Sequence, residues 1–409
     1  MMKIARIASI ALCMLLLVLP SLAMPFFPSE DSGAENRLLA DYPVLLTDEG
    51  GLNRAFDSDF EDWLRDRFAF RAQAVRANAA LNYRLLRSSV NDSVVVGAGD
   101  WLYYTDTVPD YTGEGRLSED ELAAISENLT ALADALAAWG AELYVAVIPN
   151  KNTVYPQYMP ERYAMRRDEG NIPLLREVCE GAPVTWIDLV TPLREAAEGE
   201  PLVYYKTDTH WNALGAAIAA EAVLTAMGRE ATGYTLAGEA DFSDGDLARL
   251  MGLPGALTER APNVIPDVPL PQADFSQHRM SCDGSGEGRL LVYRDSFGTA
   301  VAPWLAQAYG QTELRWEAPL DGSRPCDDAL LLLCERNLRM YLLEPPYIES
   351  IEPDEGDEES TEVIDEESFT EIDGDDDFFS DDLDEDSFVE IDEDDDFFSD
   401  DTDDAEGRA

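Results

Sequence analysis

The chain has 409 residues, of which 45% are hydrophobic, and its 83 acidic against 29 basic side chains give a net charge of −54. That is enough apolar material for one or two globular domains, and so acidic a surface repels nucleic acid and anionic lipid, which excludes a nucleic-acid role. The charge is uneven: residues 351–409 hold 31 acids and a single Arg, so the tail carries −30 and the rest of the chain −24.

Residues 1–24 read as a signal peptide or membrane anchor. Lys3 and Arg6 are basic, Ile7 to Leu19 is almost wholly apolar, and Ser21-Leu22-Ala23 places small residues where signal peptidase cuts. The apolar run is short for a span of ~20 residues, which favours cleavage. On either reading the body is exported: secreted, at the cell surface, or held at the membrane by the N-terminal segment.

Residues 25–345 are expected to form the folded body. Residues 25–53 are loop-like, with several Pro and Gly. From Arg54 to Arg87 the three- and four-residue spacing of Phe56, Phe60, Trp63, Leu64 and Phe68 predicts helix. Gly97 to Tyr104 reads as a turn into a strand. Ser118 with Glu121 forms a capping box opening a helix that stops at Gly140. A buried strand follows over Glu142–Ile148, then strand candidates over Val184–Leu189 and Val203–Lys206, and a small-residue helix over Ala213–Met227. Residues 229–288 show little periodicity and read as a loop-rich insertion.

Alternation then resumes with strand Arg289–Tyr293, helix Ala300–Tyr309, and strands Glu313–Trp316 and Ala329–Cys334. Strands alternating with helices predict an α/β fold, doubly wound, with a mostly parallel sheet and helices on both faces. Residues 346–409 are an acidic repeat: Ser368-Phe369-Thr370-Glu371-Ile372-Asp373 returns 19 residues later as Ser387-Phe388-Val389-Glu390-Ile391-Asp392. Self-repulsion at this charge density predicts a disordered, solubilising tail.

Two histidines leave few ways to run acid–base chemistry near neutral pH. His210 has a carboxylate, Asp208, two positions earlier. If that stretch is extended the two share a side, at roughly 6.6 Å between Cα atoms, within reach of a hydrogen bond. Ser296 follows the apolar strand at the point where a helix is predicted to begin. That is the carboxyl edge of a parallel sheet, where ligands gather and helix N–H groups can hold an oxyanion. Together the three supply the parts of a Ser-His-Asp acyl-transfer site. Each piece also has a plainer reading: Asp208 and Asp295 as caps, His210 as a filler of a polar niche.

Asn150, Lys151 and Tyr155 sit at a strand exit, where a substrate would meet them. Trp101, Trp211 and Trp304 are candidates for stacking on sugar rings, although core packing is commoner for such residues. His278, in a polar run, reads as a surface histidine. Cys13 lies in the N-terminal segment; Cys179, Cys282, Cys326 and Cys334 leave disulfides and buried thiols both open. Their spacing matches no zinc motif, so neither metal nor cofactor is expected.

Asp295-Ser296-Phe297 resembles the nucleophile block of SGNH/GDSL-type esterases, with Arg294 where that block has glycine. Thr207-Asp208-Thr209-His210-Trp211-Asn212 resembles the Asp-Thr-His-Trp block of the alginate O-acetyltransferase family, and is similar to the Asp-His-His-Trp block of related surface proteins. Arg65–Arg71, Gly97–Tyr104, Ile148–Pro156 and Glu335–Leu338 look like further blocks of that family, in the same order. The resemblance covers residues 54–340. It implies Ser296 as nucleophile, His210 as base and Asp208 as its orienter. It also implies an acetylated polysaccharide as substrate and a membrane-bound O-acyltransferase as the acetyl-donating partner. Arg294 puts the oxyanion arrangement in question and joins the candidate substrate-binding residues. The expected function is that of an exported O-acetyltransferase or acetylesterase. Its rival is a non-catalytic glycan-binding or assembly module on the same fold, and a metal-dependent hydrolase comes third.

Overall fold

The computed structural model describes residues 40–47, 50–163, 170–316, 320–321 and 324–349, with scattered positions among the first 24. All belong to one compact unit, Met1–Glu352. The acidic repeats lie outside the described residues, as does much of the N-terminal apolar segment. No helix among the described residues is long and apolar enough to cross a membrane.

Six strands form the central sheet: β1 (Glu142–Ile148), β2 (Thr185–Ile187), β3 (Arg279–Asp283), β4 (Arg289–Arg294), β5 (Gln311–Arg315) and β6 (Asp328–Cys334). Their order is β2-β1-β6-β4-β5-β3, with every pairing parallel except β3 against β5. β1 and β6 read as continuous apolar runs because both faces of the sheet are covered. Tyr144, Ala146, Ile148, Leu330, Leu332 and Cys334 pack on one face, against helices α3 (Val190–Ala197), α4 (Ala213–Ala226) and α5 (Gly298–Gln307). The alternate residues Leu143, Val145, Val147, Leu331 and Leu333 pack on the other, against α1 (Glu119–Ala137), α2 (Asn171–Glu180) and α6 (Leu338–Leu343). The α/β architecture with helices on both faces is the one predicted. The Ser118–Glu121 capping box opens α1, with both reciprocal bonds present.

Four expectations change. The helix predicted from Arg54 to Arg87 is two helices, Phe56–Arg67 and Arg71–Leu81, because Phe70 takes a left-handed conformation (φ 66°) between them. The Val203–Lys206 strand reduces to one bridge, Tyr204 to Trp211. The helix after Ser296 begins at Gly298 rather than Ala300.

Residues 229–288 are more ordered than their composition suggests. They form an antiparallel pair, Tyr234–Phe242 with Glu259–Pro266, a short helix Asp246–Leu250, and edge strand β3. The paired strands are largely exposed, so core-facing periodicity gave no signal. A satellite core joins Leu247, Ala248 and Met251 to Ala79, Val94, Val96 and Leu102. The four cysteines Cys179, Cys282, Cys326 and Cys334 are free thiols.

Candidate active site

The carboxyl edge of the sheet is where three chain segments meet. β4 ends at Arg294, and the turn Asp295–Phe297 leads into α5. Asp295, nearly fully buried, holds that turn. Its Oδ1 accepts from the Phe297 N–H (3.1 Å), and its Oδ2 accepts from the Cys334 N–H at the end of β6 (2.7 Å) and from Asn337 Nδ2 (2.9 Å). Ser296 is left half-buried at the edge.

His210 reaches it from the loop that precedes α4. Its Nε2 lies 3.0 Å from Ser296 Oγ, and its Nδ1 lies 2.8 Å from Asp208 Oδ1. A neutral imidazole satisfies both contacts with its hydrogen on Nδ1, which leaves the Nε2 lone pair toward the hydroxyl. The predicted extended Asp208–His210 stretch is instead a tight turn: Asp208 Oδ1 also accepts from the His210 backbone N–H (2.8 Å). The turn brings carboxylate and ring together more closely than two-residue strand spacing would. Burial works to raise the Asp208 pKa, and its bonds to His210 and the backbone N–H groups outweigh that and hold it below the usual range.

Behind this pair stands a second carboxylate that the sequence did not disclose. Asp246 Oδ2 lies 3.7 Å from His210 Nδ1 and accepts from Thr209 Oγ1 (2.5 Å); its Oδ1 accepts from the Thr209 N–H (2.7 Å). The Asp246 N–H donates in turn to Asp208 Oδ2 (2.9 Å). Burial, reinforced by the charge of Asp208, raises the Asp246 pKa. Thirty-eight residues and an aperiodic segment separate the two acids, so only the preference of Asp for a helix start pointed to it. Ligand atoms of Asp208, His210 and Asp246 lie within 4.8 Å of one another, a spacing that a metal ion would fit. The first demand on those atoms is already met by the bonds just given.

The residues expected to touch substrate build the frame instead. Lys151 is buried, and its Nζ donates to the carbonyl oxygens of Tyr205 (3.1 Å), Lys206 (3.1 Å) and Asp208 (2.5 Å). It also lies over the rings of Trp101 and Tyr103. Burial lowers its pKa to about 8, against the opposing pull of Asp246, Asp208 and Glu259. Asn150 is buried: its carboxamide donates to Asp110 and its Oδ1 faces the Cys334 thiol. The Tyr155 hydroxyl accepts from the Val203 N–H, and its ring packs 4.4 Å from Trp101. Trp211 is buried and donates from Nε1 to the Phe297 carbonyl, tying the histidine loop to the serine turn.

Arg294 is the clearest correction. It is fully buried, donating to the carbonyl oxygens of Phe275, Gln277 and Asp295 and to Thr299 Oγ1, and it lies over Trp316. It braces the turn from beneath. His278 is exposed, as expected.

Comparison with known proteins adds a likeness. Residues 94–291 match the family described as SGNH hydrolase-like domain, acetyltransferase AlgX. A relative described as probable alginate O-acetylase AlgJ, from Pseudomonas syringae pv. tomato, is 27% identical over 232 residues, covering 56% of this chain and 54% of its own. One of the same description from Pseudomonas aeruginosa is 28% identical over 335 residues, covering 76% of this chain and 79% of its own. The chain spans about half or less of the first curated relatives it matches: 54%, 38% and 44% of their lengths. Among solved structures, the O-acetyltransferase domain of Pseudomonas putida AlgJ aligns with a TM-score of 0.41 at 20% identity, over 61% of this chain and 93% of that one. A DHHW family protein from Eubacterium siraeum aligns with a TM-score of 0.46 at 15% identity, over 63% and 99%.

Proposed function

The chain is AlgX/AlgJ-like, with an SGNH hydrolase-like domain, and from that premise we propose that it is an exported O-acetyltransferase or acetylesterase acting on a cell-surface or secreted polysaccharide. The observation that carries the proposal is the continuous chain of contacts from Ser296 Oγ through the His210 ring to Asp208, at 3.0 and 2.8 Å. Those are hydrogen-bonding distances at which a base can take a hydroxyl proton.

In the proposed reaction His210 Nε2 takes the Ser296 proton as Oγ attacks the acyl carbon. Asp208 stabilises the imidazolium that forms. The imidazolium returns the proton to the departing alcohol, leaving acetyl on Ser296. His210 then removes a proton from a sugar hydroxyl or a water, which attacks the acetyl-serine; the acyl carbon–Oγ bond breaks, and the imidazolium gives its proton to Ser296 Oγ as the acetylated sugar or acetate leaves. Asp246 adds a second carboxylate beside the imidazolium and fixes the Asp208 rotamer. Arg294, buried with its two terminal nitrogens donating to four oxygens, is held by the fold and no longer argues for a non-catalytic module. Relatives described as alginate O-acetylases support a polysaccharide acceptor, and a membrane-bound O-acyltransferase as acetyl donor is part of the proposal. So is export, directed by residues 1–24.

Ser296→Ala tests the assignment. Turnover of p-nitrophenyl acetate is expected to vanish, and mass spectrometry of the wild-type chain is expected to find acetyl on the peptide that contains Ser296. Undiminished turnover in the variant would falsify the reading.

A further inference from the structure

Arg336 stands beside this site and the reaction above leaves it without a task. One residue, Glu335, separates it from the end of β6. In the parallel register β6 and β4 advance together, with Leu332 opposite Arg294, so the chain after Cys334 leaves the sheet next to the serine turn. The flanking residues are anchored there, because the Cys334 N–H and Asn337 Nδ2 both donate to Asp295 Oδ2. Arg336 is therefore held next to the nucleophile by bonds on either side of it.

Its side chain is fixed by rings. The guanidinium carbon lies 5.4 Å from the centre of the Tyr104 ring and 5.2 Å from that of Phe297. The Phe297 ring is in turn 4.5 Å from the His210 ring. Rings on two sides leave the edge of the guanidinium, where its N–H groups point, as its polar outlet. Among the described residues that edge has no hydrogen-bond or ion-pair partner. The contrast with Arg294, which donates to four oxygens, is direct. Burial opposes the charge of Arg336, and Cys334, Asp295 and Asp246 more than offset it, raising its pKa, so it is a cation throughout the working range. Asp295 and Asp246 steady the charge without a hydrogen bond to the guanidinium, so its N–H edge stays open to a ligand. The Ser296 backbone N–H is likewise unclaimed by any acceptor among the described residues.

We propose that Arg336 is the anion-receiving residue of the Ser296 site, its guanidinium edge taking a negatively charged oxygen of the substrate. This rests on the acyl-transfer reading above. Two sources of that oxygen share the chemistry. One is the oxyanion that forms on the acyl carbon after Ser296 attacks, received with the Ser296 N–H. The other is a carboxylate borne by the acceptor sugar, to which the planar fork is matched.

The experiment compares wild type with Arg336→Gln and Arg336→Lys. The substrates are p-nitrophenyl acetate, which carries no carboxylate, and two acetyl acceptors: a panel of uronic-acid trisaccharides and their carboxyl-reduced neutral counterparts. If the oxyanion is the ligand, Arg336→Gln lowers kcat on p-nitrophenyl acetate about ten- to hundredfold with KM little changed. If the acceptor carboxylate is the ligand, KM for the uronate rises about tenfold or more and its preference over the neutral form disappears. Arg336→Lys, which keeps the charge but loses the fork, is expected to fall between in either case. Melting temperatures exclude unfolding as the cause. Wild-type parameters for folded Arg336→Gln on all these substrates overturn the proposal.

Calorimetric titration of Ser296→Ala with the uronates separates this outcome from failure of the enzyme reading, since it needs no turnover. If the wild-type chain is inert toward every ester, uronate binding that weakens on adding Arg336→Gln still supports the anion site. An inert enzyme and no Arg336-dependent binding overturn both.

Discussion

At the scale of single residues, Lys151 shows how a site can depend on a group that never meets substrate. Its Nζ faces three carbonyl oxygens on the loop that carries Asp208 and His210. An ammonium has three hydrogens to give and a neutral amine only two, so all three bonds require the charged form. With the pKa lowered to about 8 by burial, activity is expected to decline on the alkaline side of that value as one carbonyl loses its donor. Lys151→Arg, charged at every accessible pH, should remove this limb from the kcat/KM profile, whatever its effect on the maximum. Lys151→Met should cost at least a hundredfold in kcat, since small misplacement of reacting groups costs about that much. Stability moves the opposite way. The folded pKa lies below the unfolded value of 10.5, so the unfolded chain binds more protons between the two, and this group's contribution to stability rises with pH from about 8 to about 10.5. Activity falling over a range in which the Lys151-dependent part of stability rises is a signature that titration of a merely structural lysine would not give.

At the scale of elements, the site depends on how closely the Asp246 segment approaches the histidine loop. Gly245 is what permits it. A Cβ there would collide with the Thr207 carbonyl oxygen, carbon and side chain, and the Asp246 N–H would be pushed away from Asp208. Gly245→Ala is expected to lower stability by about 1–3 kcal/mol, the usual cost of overpacking, and to reduce kcat at least tenfold. Urea unfolding and p-nitrophenyl acetate kinetics on one preparation check both. Gly298 meets a comparable demand on the serine side, since a Cβ there would lie 2.6 Å from Arg294 Cδ. These elements also show what a sequence can disclose. β1 and β6 were legible because burial on two faces writes an unbroken apolar run. Asp208, His210 and Ser296 were legible because histidine is scarce and a serine follows an apolar strand. β3 was not, since an edge strand reading Arg-Met-Ser-Cys-Asp has only Met280 and Cys282, both partly buried, on its core-facing side, too short a pattern to announce a strand. Asp246 was not, since its partners are distant in sequence and polar. Arg294 was misjudged because a charged residue beside a nucleophile suggests substrate, whereas four oxygens in the fold claim it.

At the scale of the whole molecule, two-sided burial of the sheet makes a plain thermodynamic claim. Leu331 and Leu332 are adjacent in β6 and belong to opposite cores, 2% and 0% exposed. Each replaced singly by Ala should cost about 2–5 kcal/mol, measured as a shift of the denaturant midpoint. A sheet with one wet face would show the loss for one of them and almost none for its neighbour. Of the net charge of −54, more than half belongs to residues 351–409, so the charge of the folded body is much closer to that of an ordinary acidic protein.

The bond from Asp295 to the backbone of Cys334 joins the Ser296 turn to the end of a buried central strand rather than to a surface loop. The hydroxyl therefore works as a built-in gauge of that sheet. Rising denaturant should extinguish catalysis in the same narrow interval in which the amide hydrogen of Cys334 loses its protection from exchange with solvent, with no earlier phase in which an inactive chain keeps its centre intact.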